Sequence, residues 1–362
     1  MPLFTKIDKY IIKKFLGTFF YAITLLAGVI IVFDLSEKIQ DLLENNAPVS
    51  EIIFSYYLNF LPYFINLFSY LFVFISVIFF TSKLAVNTEI IAILSSGVSF
   101  RRLLRPYLIA ATFLAVLSFV LANFVIPHTN VTMREFKQKY ISNLKFDRGH
   151  NIHFQIAKQN FIYMEHFSPK TNTAKRFSIE QFNQMGSLKY KLNSSKAVFD
   201  SITEKWTIFD FNIREIDGFK ETLNTGRKMD TTLALFPKDL VLIKEDYEVM
   251  DFFEINRFIE DQKMKGAGNV IQYEVEQQKR SAYPFAALIL TIIGVSLSSR
   301  KIRGGMGMHL GLGIALTFIY ILFMQFATVF AVYGGLSPIL AAWIPNIVFA
   351  IIAIVLLRNA PK

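Results

Sequence analysis

Five stretches of this chain contain no Asp, Glu, Lys or Arg: Phe15–Phe33, Ile52–Ser82, Pro106–Met133, Ser281–Ser299 and Gly304–Leu357. A bilayer core of about 30 Å takes about 20 apolar residues per helix. The first four stretches each hold one helix. The fifth is long enough for two, and Tyr333-Gly334-Gly335-Leu336-Ser337-Pro338 breaks it with turn residues. The pattern therefore predicts six spans, three before and three after a polar block of about 150 residues. Within that block the period changes to two, and residues 150–235 read as strands. Asn160–Phe167, Arg176–Phe182, Leu188–Leu192 and Trp206–Ile213 alternate apolar with polar residues and read as strands. Ser168–Thr173 and Asp217-Gly218 read as turns between them. Short strands at regular spacing suggest an all-β sandwich or open barrel. After Pro237 the pattern turns helical. Val249–Lys265 predicts an amphipathic helix stopped at Gly266-Ala267-Gly268, and Tyr273–Arg280 a charged lead into the fourth span.

These elements predict membrane half 1 over 1–133, a short surface helix at about 86–97, a β domain over 134–245, a helical linker over 246–281 and membrane half 2 over 282–362. The first apolar run follows Lys6, Lys9, Lys13 and Lys14. It is too long for a signal-peptide core, and Asp34-Leu35-Ser36-Glu37 follows it where a small-residue cleavage site would stand. It reads as a retained helix.

Charge then sets the orientation. The chain carries a net charge of +10, which would suit a nucleic-acid binder. Residues 128–281, however, hold 24 basic and 21 acidic side chains, so the surplus lies at the ends of the spans. Lys6, Lys9, Lys13, Lys14, Lys83, Arg101, Arg102, Arg105, Arg300, Lys301, Arg303, Arg358 and Lys362 fall on the side of the termini, against Lys38 alone in the short loops opposite. The positive-inside rule places both termini in the cytoplasm and the β domain outside.

The chemistry-bearing motifs are few. With no cysteine, disulfides, zinc thiolates and cysteine nucleophiles are excluded. No Gly-x-x-x-x-Gly-Lys-[Ser/Thr] loop, His-Glu-x-x-His helix or Gly-x-Ser-x-Gly elbow occurs, so no ATPase, zinc protease or hydrolase site is predicted. His150 and His153 lack a clustered carboxylate and read as loop residues rather than metal ligands. No catalytic residue, metal or cofactor is predicted. Apart from His309, no ionisable residue sits deep in a span, which disfavours an ion-coupled carrier. Asn59, Asn66, Gln325 and Asn346 read as helix–helix hydrogen bonders. Phe154, Phe161, Phe167, Phe177, Phe182, Phe199, Phe209 and Phe211 would fill a β core, whether closed or open as a trough.

The segment between the second and third spans, Lys83–Pro106, is the most specific. Thr88 or Asn87 is placed to cap a short helix that begins near Glu89 and ends at Gly97. From its residues alone it is either an interfacial linker with a basic rim or a coupling helix that inserts into a soluble partner through Glu89.

Asn87-Thr88-Glu89-Ile90-Ile91-Ala92-Ile93-Leu94-Ser95-Ser96-Gly97-Val98-Ser99 resembles the Ser-Glu-x-x-x-Met-x-Ala-x-Gly passage of the LptF/LptG (YjgP/YjgQ) permeases. Ile7-Asp8-Lys9-Tyr10-Ile11, Val125–Arg134, Gly334–Pro338 and the three-plus-three layout resemble them too, and the likeness is closer to LptG than to LptF. It implies a polytopic α-helical membrane protein with an inserted periplasmic all-β jellyroll-like domain. Its function would be to serve, without being an enzyme itself, as the permease subunit of an ATP-driven exporter that extracts lipopolysaccharide from the inner membrane. The implied partners are an LptB-like ATPase dimer, a sister LptF/LptG-like permease and LptC-like and LptA-like jellyroll proteins. Implied site residues are Glu89, Ile90, Leu94 and Gly97 for ATPase coupling, and Arg134, Lys137 and Lys38 for the lipid head group. Phe318, Ile319, Leu322, Phe326 and Val329 would line the acyl-chain cavity. The sequence departs from the LptG-like pattern at Val32 and Phe33, where a lysine can stand, and Asp34, Glu37 and Asp41 surround Lys38. From the residues alone, Arg134 and Lys137 are interface anchors or head-group ligands. The competing function is a membrane-anchored periplasmic adaptor that scaffolds envelope proteins.

Overall fold

The structure, a computed structural model, describes residues 5–141, 150–168, 171–183, 185–201, 203–233, 235–237, 246–264, 270–300 and 305–360. The expected glycine stop at 266–268, the cations Lys301, Arg303 and Lys362, the middle of the 168–173 turn and the side chains of His150 and Phe154 lie outside that description. The chain forms two compact units. One comprises Met1–Ser142, Glu248–Ile255 and Ile271–Lys362, the other Asn143–Tyr247 and Asn256–Val270.

The first unit holds the six expected spans: α1 (Lys6–Glu44), α2 (Val49–Val86), α4 (Phe100–Tyr140), α6 (Val270–Ser298), α7 (Gly305–Tyr333) and α8 (Pro338–Arg358). A short α3 (Glu89–Ser95) joins α2 to α4, and α5 (Phe252–Met264) precedes α6. Thr5 and Asp8 start α1 with a capping box, each side chain accepting the other's backbone N–H. Two π-helical turns, Ile52–Tyr57 in α2 and Leu121–Val125 in α4, sit just before Pro62 and Pro127.

Helix α2 is the centre of the bundle. Phe74 and Ile78 pack with Leu290, Ile293, Tyr320 and Phe349 of the second half. Val77, Phe80 and Leu84 pack with Ile11, Phe15 and Phe19 of α1 and Leu103, Tyr107 and Leu114 of α4. Small residues allow this crowding: a Cβ on Gly313 of α7 would lie 2.2 Å from Ile78 Cδ1. By contrast, only 17% of the most apolar window of α1 and 28% of that of α7 is buried, against 61% for α6. Helices α1 and α7 therefore leave apolar faces uncovered.

The second unit holds most of α5 and one six-stranded antiparallel sheet in sequence order: β1 (His150–Ala157), β2 (Asn160–Ser168), β3 (Thr173–Phe182), β4 (Leu188–Asp200), β5 (Lys205–Asp217) and β6 (Lys220–Thr231). It is built as a meander, with β1 and β6 at its edges. The β1 and β6 strands, and the second half of β4, lie beyond the segments that alternation picked out.

The reason is a crease. Each ladder skips one pair, and the skipped positions line up: 151 with 165, 165 with 176, 176 with 195, 195 with 210, 210 with 227. Arg176 and Asp210 on this line have φ of 48°, and two successive residues point outward where one should. The inward set changes parity there, as at a β-bulge. Both halves therefore face one core, with Ile162, Phe177, Ile179 and Leu192 on one side and Phe167, Ala197, Phe199, Trp206 and Ile208 on the other. Outside, the crease is stitched by the Arg176–Glu165 pair at 3.1 Å and by Ser195 Oγ donating to Asp210 Oδ2 at 3.3 Å. Trp206 is fully buried, stacks on Phe177 at 5.9 Å and donates Nε1–H to Leu235 O at 2.8 Å.

Candidate functional site

At the end of the spans that carries the termini, α3 forms a loop-borne helix of seven residues. Ile90 is its anchor, 1% exposed in the α1–α2–α4 core, and Leu94 packs half-buried beside it. Gly97 follows with φ of 87°, a conformation that suits glycine at a helix end. The expected side-chain cap is not formed. Thr88 adopts φ of 62° and its hydroxyl donates to Asn87 O at 2.6 Å, while the Asn87 amide donates to Glu89 Oε1 at 3.3 Å. Because α2 runs to Val86, the chain must reverse in two residues. A left-handed residue achieves that, but it turns the threonine hydroxyl away from the N–H groups of α3. Half-buried Glu89 also meets the Tyr10 hydroxyl of α1.

The same end holds a pair that the sequence reading did not join. Arg102, on the first turn of α4, grips Asp8 through two bonds: Nη1 to Oδ1 at 2.8 Å and Nη2 to Oδ2 at 2.6 Å. Asp8 is 4% exposed. The two residues are 94 positions apart. The available signal was that Asp8 is an acid inside an otherwise basic flank.

At the opposite end, Lys38 is enclosed. Its ammonium bonds Asp34 and, at 2.5 Å, the Tyr56 hydroxyl, which itself donates to Asp34 Oδ2 at 2.9 Å. It also lies over the Tyr56 and Phe60 rings at 5.2 and 5.6 Å. Tyr56 stacks on Phe136 of α4, so this box ties α1, α2 and α4 together. Arg134 and Lys137 are half-buried on α4, one turn apart, on the same helix as Phe136. A further charged group sits on α6, where Glu276 pairs with Lys279 at 3.1 Å and Arg280 at 3.5 Å, and Arg280 donates to Met250 O at 2.7 Å.

Phe318, Ile319, Leu322, Phe326 and Val329 form an exposed stripe along α7, each at least 40% uncovered. On α1, Tyr21, Leu25, Val29, Val32 and Phe33 are likewise exposed. Of the intramembrane amides, Asn346 accepts from Tyr320 at 2.8 Å and donates to Ala282 O at 2.8 Å, joining three helices. Asn66 accepts from Ser118 at 2.6 Å. Asn59 differs from expectation, since it bonds carbonyls of its own helix at Phe54 and Ser55. Gln325 is exposed. His309 is buried, with Nε2 3.0 Å from Arg300 O.

In the β unit, Phe167, Phe177 and Phe199 enter the core and Phe211 packs against it. Phe161, Phe182 and Phe209 do not. They lie on the other face: Phe161 meets Phe182 at 5.7 Å and Phe209 lies under the Lys196 ammonium at 4.7 Å. The parity change at the crease explains this for Phe209, the outward neighbour of inward Ile208. Among the described residues no group of His, Asp and Glu could hold a metal. His153 is exposed and stacks on Tyr163 at 4.9 Å.

Compared with known families, residues 9–359 match the model described as lipopolysaccharide export system permease LptF/LptG. No curated protein matches the chain.

Proposed function

Starting from the fact that the chain belongs to the LptF/LptG family of lipopolysaccharide export permeases, we propose that it is the multi-pass permease subunit of an ATP-driven exporter that lifts lipopolysaccharide out of the inner membrane. The observation that carries this reading is α3. A seven-residue helix with one buried anchor and an acid at its first turn, slung between two spans, suits docking into a soluble protein. That protein is a separate LptB-like ATPase dimer, because this chain has no phosphate-binding loop of its own. Glu89, Ile90, Leu94 and Gly97 are the coupling residues. With the termini and α3 in the cytoplasm, the β domain lies in the periplasm, as the flanking cations favour.

The uncovered faces of α1 and α7 line a cavity closed by a sister permease. Phe318, Ile319, Leu322, Phe326 and Val329 meet acyl chains there. Arg134 and Lys137 receive the phosphorylated head group, guanidinium binding phosphate bidentately and ammonium as a point charge. Lys38 has a different part. Its charge is answered by Asp34 and its donors by Tyr56, so it braces the outer ends of α1, α2 and α4 rather than offering a cation to the lipid. The β domain passes the lipid to LptC-like and LptA-like jellyroll proteins.

The test is copurification in detergent, with ATP hydrolysis measured with and without lipopolysaccharide. Stable capture of an ATPase whose rate responds to the lipid supports the exporter. One observation favours the alternative of a membrane-anchored adaptor: the β core is filled by its own side chains around Trp206. Under that alternative, pull-down recovers envelope proteins and no ATPase.

A further inference from the structure

The first turns of α1 hold both ends of the α3 loop. Tyr10 meets Glu89 at the start of α3. Two residues earlier, Asp8 takes both terminal nitrogens of Arg102, three residues past Ser99, which caps α4. Beside the Asp8–Arg102 pair lies a small cavity of about 130 Å³ bordered by Asp8, Ile93, Val98 and Arg102. Asp8 is fixed in turn by the Thr5 backbone N–H at 2.8 Å.

This arrangement is directional. Apolar contacts resist separation but allow sliding, because hydrophobic burial is not directional. A bidentate guanidinium–carboxylate pair fixes both distance and orientation. The α3 helix has no side-chain cap of its own and rests on a single fully buried residue. Its orientation therefore depends on the loop that carries it, and α1 borders that loop at Ile93, Val98 and Arg102. Helix α1 is also the span with the least buried window, the one with most surface to reposition.

We infer that Asp8 and Arg102, seconded by Tyr10, are positioning residues that make α1 follow α3, so that a push on α3 is delivered to the uncovered face of α1. The inference rests on the exporter reading and adds the route by which the ATPase stroke reaches the lipid-facing helix. None of the three is among the residues proposed above to meet the lipid or the ATPase.

The test uses the full chain purified with its ATPase and reads lipopolysaccharide moved per ATP hydrolysed, beside complex recovery and basal hydrolysis. The variants are Asp8→Asn, Arg102→Gln, the double variant and Tyr10→Phe. Asp8→Asn and Arg102→Gln are each expected to lower transport per ATP about tenfold, the order of a lost charge-assisted pair. The double variant is expected to match the singles, because both remove one interaction. Tyr10→Phe, which removes only a hydroxyl beside the Glu89 carboxylate, is expected to lose less than either single variant, about twofold. Recovery and basal hydrolysis stay at the wild-type level. Wild-type transport per ATP in the single variants, multiplying losses in the double, or losses that only follow falling recovery would each overturn the inference. If the wild-type chain captures no ATPase, the exporter reading has failed and this inference falls with it; coupling that is intact in the variants sinks the inference alone.

Discussion

The helical unit and the β unit place their polar groups in opposite ways. In the helical unit several polar contacts are internal and join helices: Asp8–Arg102, Lys38–Asp34–Tyr56, Asn66–Ser118 and Asn346–Tyr320. Its large apolar side chains crowd the surface of α1 and α7. In the β unit the apolar side chains are inside and the ion pairs Arg176–Glu165 and Arg214–Glu221 are outside. The difference follows from the solvent. In a bilayer the surroundings are as apolar as the core, so burial of apolar area cannot choose between helix arrangements; close packing of small residues and interhelical hydrogen bonds do. In water apolar burial drives the fold, and an exposed ion pair adds little. In the helical unit function should therefore be sensitive to single polar residues, and in the β unit to core volume.

The largest expected effect tests the β side of that contrast. Trp206→Ala removes a fully buried indole, its stack on Phe177 and its bond to Leu235 O. A truncation of this kind costs about 3–5 kcal/mol, a large share of the roughly 5–15 kcal/mol that holds a domain. Amide exchange in detergent should show protection lost across β2–β5 and kept in α2 and α6. Loss of protection in both units would mean that the two do not fold as separate cores.

On the helical side, one exposed-end charge should outweigh any surface charge of the β unit. Glu89→Lys is expected to reduce lipid-coupled ATP hydrolysis tenfold or more, since a charge-assisted contact is worth about 1.5–3 kcal/mol and reversal adds repulsion. Insertion and β-unit protection should be unchanged. Wild-type coupling in this variant would remove α3 from the ATPase interface. A smaller, several-fold effect is expected for Arg134→Glu/Lys137→Glu, read as lipopolysaccharide retained per purified complex. ATPase recovery should persist, because these residues lie at the other end of the spans. Unchanged retention would make the pair structural anchors and move the head-group contact to other cations.

How far the sequence reveals these features differs between the units for the same physical reason. A span is legible because about 20 residues must all be apolar, and every long helix of the first unit appears where an uncharged stretch stands. The partners Asp8 and Arg102 are not legible as a pair, because their meeting depends on the packing of α1 against α4 across 94 residues. For Lys38 the Asp34 partner is legible as its neighbour four residues back, but Tyr56 is not, since it arrives from another helix. In the β unit strict alternation fails at the crease. Lys175-Arg176, Ser195-Lys196 and Arg227-Lys228 are polar doublets inside strands. A period of two reads each doublet as a strand end, which is why Leu188–Leu192 was only the first part of β4 and Arg176 fell at the start of β3 rather than within it. The doublets of β3, β4 and β6 at matching register are the signature that would have shown the fold line; β5 lacks one, since Asp210 stands between Phe209 and Phe211. The family resemblance supplied the assignment of α3, whose residues alone allowed a plain interfacial linker.

The smallest expected effect asks what holds the crease. Beside the Ser195–Asp210 hydrogen bond, its outer line carries the Arg176–Glu165 ion pair and the positive φ of Arg176 and Asp210. The pair is exposed, with the Arg176 side chain 75% open. Such pairs are worth about 0–1 kcal/mol. Glu165→Gln should therefore leave the β unit within about 1 kcal/mol of wild type in denaturant, with a weaker salt dependence. The backbone device is different. A β-branched side chain at φ near 50° is strained, at a cost of order 1–3 kcal/mol. Arg176→Val should thus lose more stability than Glu165→Gln although both break the same pair, and Arg176→Gly should recover much of that difference. If Glu165→Gln costs as much as Arg176→Val, the ion pair and not the backbone sets the bend. The β unit would then share with the helical unit a fold fixed by a single charged contact.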